Sequence, residues 1–297
     1  MALSQEASGA QQWKEAIRKD WTEAAPGWCK GEYRFEQQSR AATEAMIEAA
    51  RLRSGMRVLD LACGAGGPAI AAALAVGQTG HVVATDLVPE MVAFAEQHAR
   101  QRGLSNMSFQ QADAESLPFP DQSFDAVTCR MGIMFFQEVG RAVREIVRVL
   151  KPGGRATFVA LGTLQGAPEQ NPWQSAVIGT LRRYVQTSPP PAGSPHPFRF
   201  AQPGSLSTVL REGELQQVVE ETRVVPWVWH GPPEEYWQYR QESSPVILGL
   251  LRQVLPDQLP QVTAEVLAAI GEYYDGQQIN FTASIVVASG ARKSARN

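Results

Sequence analysis

A glycine-rich turn and the acidic side chains around it carry the most informative chemistry in this sequence. The segment VLDLACGAGG at 58–67 is a short apolar run that contains Asp60 and then breaks into glycines. Such a run predicts a buried strand, and the glycines allow a tight turn whose backbone lies close to a ligand before a helix begins. A second apolar run, HVVATD, ends in Asp86, whose carboxylate is suited to two ribose hydroxyls. The pair predicts a site for an adenosine-containing cofactor.

The same turn also satisfies the dinucleotide fingerprint G-x-G-x-x-G/A, through Gly64, Gly66 and Ala69. Two features disfavour a dinucleotide. Asp60 lies at the strand end before Gly64, where its charge would repel a pyrophosphate but suit an ammonium group. Asp113 follows the third predicted strand, where it is placed to accept a hydrogen bond from an adenine amine. An NAD-dependent oxidoreductase is therefore an alternative in which Asp60 has no role.

Strand-like and helix-like segments alternate between residues 56 and 162. The strand-like runs are MRVLDLA, HVVATD, NMSFQQA, SFDAVTCR and GRATFVALG, and helical patterns such as PEMVAFAEQHARQRG and AVREIVRVL separate them. Five strands joined in this way predict right-handed crossovers and a mostly parallel sheet with helices on both faces. The fold class is therefore predicted to be α/β, a Rossmann-like, doubly wound sheet.

Aromatic residues and prolines set the flanking segments apart from this core. All seven Trp and all six Tyr lie outside 56–162, and 14 of the 20 Pro lie between Pro168 and Pro260. Because disordered segments are poor in aromatic residues, we expect the flanks to fold as helical cap insertions. The predicted segments are an N-terminal helical lid (1–54), the cofactor-binding core (55–162), a cap insertion (163–214), a core strand (215–230), a helical cap (231–276), the last core strand (277–290) and a tail (291–297).

Four motifs in order resemble those of class I S-adenosylmethionine-dependent methyltransferases, in particular the ubiquinone/menaquinone C-methylase-like group of small-molecule enzymes. They are VLDLACGAGG at 58–67, TDLVPEM at 85–91, ADAESLPFPDQSFDAV at 112–127 and REIVRVLKPGG at 144–154. The resemblance implies a seven-stranded sheet whose last strand is antiparallel. It also implies an enzyme that binds S-adenosyl-L-methionine and methylates the oxygen or carbon of a small, fairly apolar acceptor, aromatic acceptors included.

The resemblance assigns roles to individual residues of the cofactor site. Asp60 and the loop from Ala62 to Gly66 would hold the methionine portion, and Asp86 the ribose hydroxyls. The full set implied to bind the cofactor is Asp60, Ala62, Cys63, Gly64, Gly66, Asp86, Leu87, Met91, Asp113, Ala114 and Arg130. Leu87 and Met91 would pack on the adenine face, Asp113 and Ala114 would read its edge, and Arg130 would lie by the methionine carboxylate or the pocket mouth. Ala62 stands where a glycine is often found, which is acceptable where its φ is negative.

Methyl transfer needs alignment of the reactants and exclusion of water, and an oxygen or carbon acceptor also needs a base. Four histidines are available. His81 and His98 are expected at the surface, whereas His196 and His230 lie in the predicted cap and are the candidate catalytic bases. Trp28 and Tyr33 are expected to form a lid over the cofactor. The substrate-pocket candidates are Trp28, Tyr33, Tyr236, Tyr239 and Arg240.

Composition disfavours several other functions. The net charge of −3 and the lack of a basic cluster before the closing ARKSAR disfavour nucleic acid as a partner, and no apolar run is long enough for a membrane span. Three scattered cysteines and no signal peptide predict a cytoplasmic protein without a disulfide framework. No metal site is expected, and an arsenic methyltransferase is disfavoured because Cys63 lies inside the cofactor loop. A non-catalytic cofactor-binding protein is a further alternative, and the oligomeric state is left open.

Overall fold

A computed structural model describes residues 2–163, 170–191 and 193–294 of the chain, with side chains from Gln12 onward. The N-terminal part forms α1 (Ala2–Lys30), α2 (Glu32–Gln38) and α3 (Arg40–Ala50). The core follows as β1 (Arg57–Leu61), α4 (Gly67–Val76), β2 (His81–Asp86), α5 (Pro89–Gln101), β3 (Met107–Gln111), β4 (Phe124–Arg130), α6 (Val139–Val149) and β5 (Leu150–Leu161). The remainder forms α7 (Pro172–Gln174), which continues as a π-helix over Ser175–Gly179, then α8 (Ser205–Glu212), β6 (Gln216–His230), α9 (Pro233–Ser243), α10 (Pro245–Leu251), α11 (Leu259–Gly271) and β7 (Gln278–Ala291).

All seven of these strands join one sheet in the order β3-β2-β1-β4-β5-β7-β6. Neighbouring strands from β3 to β5 are parallel, whereas β7 is antiparallel to both β5 and β6. The predicted seven-stranded, mostly parallel sheet with an antiparallel last strand is therefore confirmed. The strand order changes direction between β1 and β4, so a crevice is expected outside the carboxyl ends of those two strands.

The N-terminal helices serve two different parts of the fold. Helix α3 packs against β4, β5 and β7, and it buries Ala42, Ala45 and Met46 there. It therefore belongs structurally with the sheet, whereas α1 and α2 lie at the crevice. The sequence predicts that the 1–54 segment is a lid throughout. Only α1 and α2 lie at the crevice, because the small apolar face of α3 is complementary to the sheet and packs against it.

The aromatic residues of the cap pack against β6 and β7. Trp229, Tyr236 and Phe281 are fully buried, and the ring of Trp229 stacks on that of Tyr239 with centroids 5.0 Å apart. These side chains form an interior between α9 and the end of the sheet, which explains why the flanks are rich in aromatics. Residues 164–169 and 192 of the expected cap insertion, and residues 295–297 of the tail, lie outside the described residues. Over the described part of the chain, no helix is both long enough and apolar enough to cross a membrane.

Candidate functional site

A cavity with an empty volume of about 1130 Å³, counted to its mouth, opens at the carboxyl ends of β1, β2 and β4. The turn after β1, the segment after β3 and helices α1 and α2 complete its walls. Trp21 and Trp28 of α1 line it with ring centroids 5.5 Å apart, and Trp21 meets Phe135 edge-on at 5.4 Å. A mostly apolar cavity with a few convergent polar groups is typical of a small-molecule site.

The glycine-rich turn is tied to the end of β2. The backbone N–H of Cys63 donates to the carbonyl of Thr85 at 2.9 Å, and that of Gly64 donates to Oδ2 of Asp86 at 2.9 Å. Gly66 has a φ of +101°, and a Cβ at that position would lie 3.0 Å from the Ala95 side chain of α5. Glycine is therefore required there both for its backbone conformation and for close helix packing.

Ala62 does not meet the condition of a negative φ. Its φ is +52°, in the left-handed region that alanine adopts at a steric cost. A Cβ built on Gly132 would lie only 2.4 Å from the Ala62 methyl group. The absence of a side chain at Gly132 thus leaves space for the Ala62 methyl group. Ala62 therefore has the left-handed backbone conformation that a glycine would adopt without strain.

His98 also differs from its predicted surface position. The side chain is half-buried, and its Nδ1 lies 3.0 Å from the carbonyl oxygen of Ala65 in the turn. Burial lowers the pKa of His98, although the bond to Ala65 opposes this. The residue therefore supports the turn from α5.

Asp86 ends β2 on the cavity wall. Its Oδ1 accepts from the backbone N–H of Val88 at 3.0 Å, while Oδ2 accepts from Gly64. Burial raises the pKa of this carboxyl, and the backbone bonds from Val88 and Gly64 oppose the rise. Each carboxylate oxygen has a second lone pair, so both retain the capacity to accept a further hydrogen bond from a ligand. Leu87 and Met91 line the same wall.

Asp113 and Glu115 follow β3 and are bridged by a lysine from α1. The ammonium of Lys14 lies 2.7 Å from Oδ2 of Asp113 and 2.5 Å from Oε2 of Glu115. Oδ1 of Asp113 accepts from the backbone N–H of Glu115 at 2.9 Å, while Oε1 of Glu115 accepts from the backbone N–H of Glu138 at 3.0 Å. Helix α1 is thus fastened across the cavity at the position expected to read the adenine edge.

Arg130 ends β4 and is held by the N-terminal helices. Its guanidinium donates to Ser39 Oγ at 2.8 Å and Thr43 Oγ1 at 2.6 Å, and it pairs with Oε2 of Glu36 at 3.1 Å. The same group lies over the Phe35 ring, 5.5 Å from its centroid. Arg130 therefore lines the cavity as a fixed positive charge.

Asp60 is fully buried and is not among the residues that line the cavity. The Thr128 hydroxyl donates to its Oδ1 at 2.6 Å, because the two residues are register partners in β1 and β4, while Oδ2 has no hydrogen-bond partner. Burial raises the pKa of Asp60 to about 7. The carboxyl expected to contact an ammonium group is thus buried and does not line the cavity.

Glu32 is a cavity-lining residue that sequence reasoning missed. It begins α2 and is only 4% exposed. Burial and the neighbouring Glu36 raise the pKa of Glu32 to about 7, although Arg130 opposes the rise. No local pattern in the sequence marks it, because Trp28 lies in α1 whereas Glu32 begins α2.

The structure brings most of the predicted cofactor residues together. Ala62, Cys63, Gly64, Asp86, Leu87, Met91, Asp113, Ala114 and Arg130 line one cavity, together with the lid candidate Trp28. Asp60 and Gly66 lie behind its wall, and Tyr33 is 66% exposed outside it. Tyr236 and Tyr239 are buried in the cap, and the Arg240 guanidinium covers the Trp173 ring at 5.5 Å. None of these three residues lines the cavity.

Neither candidate base reaches the cavity wall. His230 is exposed at the end of the edge strand β6 and does not line the cavity, so it cannot contact a substrate bound there. His196 is half-buried, and its Nδ1 accepts from the backbone N–H of Phe198 at 3.2 Å, which leaves the proton of the neutral ring on Nε2. Burial lowers the pKa of His196. The geometry therefore gives no support to either histidine as a base.

Comparisons with known proteins agree with this architecture. Residues 59–158 match the family described as a methyltransferase domain. Over 114 residues the chain is 46% identical to the uncharacterized methyltransferase YcgJ of Bacillus subtilis, covering 38% of this chain and 44% of that one. Over 110 residues it is 46% identical to the ubiquinone/menaquinone biosynthesis C-methyltransferase UbiE of Pseudomonas putida, covering 37% and 43%. The chain thus matches less than half of the length of these relatives.

Solved structures extend the similarity in fold beyond the central domain. The crystal structure of YcgJ aligns with a TM-score of 0.55 and 24% identity, over 86% of this chain and all of that one. Phosphoethanolamine N-methyltransferase 2 of Haemonchus contortus, solved with S-adenosyl-L-methionine, aligns with a TM-score of 0.52 and 17% identity, over 90% and 57%. Residues 59–158 therefore form a methyltransferase domain, and the chain has the fold of class I, S-adenosylmethionine-dependent methyltransferases.

Proposed function

We propose that this protein transfers the methyl group of S-adenosyl-L-methionine to the oxygen or carbon of a small, fairly apolar acceptor. The observation that carries the proposal is the one cavity that Asp86, Asp113, Arg130 and the glycine-rich turn line together. Acids suited to a ribose and an adenine amine thus share a cavity with a cation suited to a carboxylate.

The residues present fit the cofactor. The turn would hold the methionine portion and Asp86 the ribose. Leu87 and Met91 would hold the adenine face, and Asp113 with Ala114 the adenine edge. The cavity is lined by the carboxyl groups of Glu32, Asp86, Asp113 and Glu115 and by the cations Lys14, Arg18 and Arg130. Both signs of charge thus line the cavity, which is complementary to a ligand that itself carries both signs.

When bound, S-adenosyl-L-methionine supplies a methyl group on a sulfonium sulfur, from which it is readily displaced. The protein's own contribution is to hold the reactants in line and to exclude water. Trp21, Trp28 and Phe135 provide apolar faces for this purpose, and aromatic faces also favour the positive charge of the reacting centre. His196 and His230 do not enter the proposal as bases, because neither lines the cavity.

An NAD-dependent oxidoreductase and a non-catalytic binding protein are the alternatives. The experiment is to incubate the protein with methyl-labelled S-adenosyl-L-methionine and a panel of phenols, quinols, amines and carboxylic acids, and to measure product masses. A labelled phenol, quinol or acid supports the proposal. Binding of the cofactor without any labelled product favours the non-catalytic alternative, and labelled amines alone would contradict the proposed acceptor atoms.

A cytoplasmic location accords with the three buried, unpaired cysteines.

A further inference from the structure

The carboxylate of Glu32 meets the cavity at the beginning of helix α4. A Cβ built on Gly67 would lie 2.9 Å from Oε1 of Glu32 and 1.8 Å from Oε2 of Glu36, so a side chain at this position would displace the two carboxylates. The backbone N–H of Gly67 is one of the groups that favour the ionised form of Glu32. The side chain is therefore anchored at a helix N-terminus and not solvated as a surface carboxylate would be.

This part of the cavity contains more negative than positive charge. Arg130 pairs with Glu36 at 3.1 Å, whereas no lysine, arginine or histidine of the described side chains lies within 4.0 Å of the Glu32 carboxylate. A buried carboxylate without a cation is costly to ionise. A ligand that brings a positive charge to this point would remove that cost.

We propose that Glu32 binds the α-ammonium group of the cofactor's methionine portion. This inference rests on the proposed function and identifies the residue that selects the amino acid end of the ligand. Arg130, which lines the same cavity, provides the opposite charge for the carboxylate, so the pair is complementary to a zwitterion. The inference replaces Asp60 in that role, because Asp60 is fully buried and does not reach the cavity wall.

The experiment compares two ligands that differ in the amino acid end. S-adenosylhomocysteine carries the ammonium group, whereas 5′-methylthioadenosine has the adenosine and thioether but no amino acid. Calorimetry should show that Glu32→Gln weakens S-adenosylhomocysteine binding roughly 10- to 100-fold and leaves 5′-methylthioadenosine binding within about twofold. Tyr33→Phe, at the neighbouring exposed position, is the matched control and should change neither affinity.

A second measurement uses the unmodified protein. Since the pKa of Glu32 is raised to about 7, part of this group is protonated at pH 7, and a bound ammonium would displace the proton. Titrations in two buffers of different ionisation enthalpy should therefore show more proton release with S-adenosylhomocysteine than with 5′-methylthioadenosine. The charged or titratable groups around Glu32 are Glu36, Arg130, Arg102, Cys29, Cys63 and Tyr239.

Each other outcome overturns the inference and assigns a different role to Glu32 or to Asp60. Equal losses for both ligands would make Glu32 a structural residue, and unchanged S-adenosylhomocysteine affinity with lost turnover would make it a base. A loss confined to S-adenosylhomocysteine in Asp60→Asn but absent in Glu32→Gln would return the role to Asp60. Failure of the unmodified protein to bind either ligand would instead overturn the proposed function on which the inference rests.

Discussion

The ammonium of Lys14 lies 2.7 Å from Oδ2 of Asp113 and joins the first helix to the segment that follows β3. The same ammonium pairs with the buried Glu115, so one lysine holds two carboxylates at the cavity wall. Although burial opposes it, the bonds to Asp113 and Glu115 raise the pKa of Lys14. Helix α1 is therefore bound to the site by charge as well as by the apolar packing of its tryptophans.

Lys14→Met should release this bridge and increase the dissociation rate of S-adenosylhomocysteine by roughly 3- to 10-fold, since a charge-assisted contact across the cavity is lost. Stopped-flow tryptophan fluorescence is suited to the measurement, because Trp21 and Trp28 line the cavity. Lys19→Met, on the exposed side of α1, is the control. An unchanged dissociation rate in Lys14→Met would show that α1 does not retain the ligand.

Ala62→Gly should increase the free energy of unfolding by about 0.5–1 kcal/mol, because the left-handed backbone no longer carries a Cβ. Gln122 has a similar φ of +54° at an exposed position away from the cavity. Gln122→Gly is therefore a matched control for the effect of the left-handed backbone conformation on the free energy of unfolding. Urea unfolding of both variants measures the effect. A destabilised Ala62→Gly protein beside a stabilised Gln122→Gly protein would show that the Ala62 methyl group contributes packing that outweighs its strain.

Asp60→Asn should alter the pH dependence of stability. The folded protein raises the pKa of Asp60 from its ordinary value to about 7, so the native state retains this proton over a range in which the unfolded chain has lost it. This group therefore makes the free energy of unfolding fall as pH rises from about 4 to about 7, by roughly 2–4 kcal/mol. Thermal unfolding across that range should give a flatter profile for Asp60→Asn, and an identical slope would contradict the burial of the charge.

Asp86→Ala should weaken S-adenosylhomocysteine binding by about 1–3 kcal/mol, since charge-assisted hydrogen bonds to the ribose are lost. The variant also removes the acceptor of the Gly64 and Val88 amides, so its melting temperature should fall. Asp125→Ala is the control, because Asp125 also accepts from a backbone N–H, that of Arg57, but does not line the cavity. Calorimetry that shows equal losses of affinity in both variants would remove Asp86 from the ribose site.

Local signals in the sequence predicted the elements that position the cofactor. The apolar runs of β1 and β2 and the turn between β1 and α4 follow from neighbouring residues, as does the start of α5 at Pro89. The placement of Asp86 and Asp113 at one cavity follows from the parallel order of the strands.

The remaining features depend on tertiary packing, which no local pattern contains. Glu32 reaches the cavity only because α1 and α2 fold back over the sheet, and His98 contacts Ala65 only because α5 packs beside the turn. The left-handed conformation of Ala62 depends on the space beside Gly132. His196 and His230 were selected for their chemistry, and their distance from the cavity is a property of the cap's three-dimensional packing.

Calorimetric titration of the unmodified protein with S-adenosylhomocysteine and, separately, with NAD distinguishes a methyltransferase site from a dinucleotide site. We expect saturable, one-to-one binding of S-adenosylhomocysteine, weakened in Asp86→Ala, and no binding of NAD. Absence of heat with S-adenosylhomocysteine, or NAD binding of equal or greater affinity, would rule out the methyltransferase site.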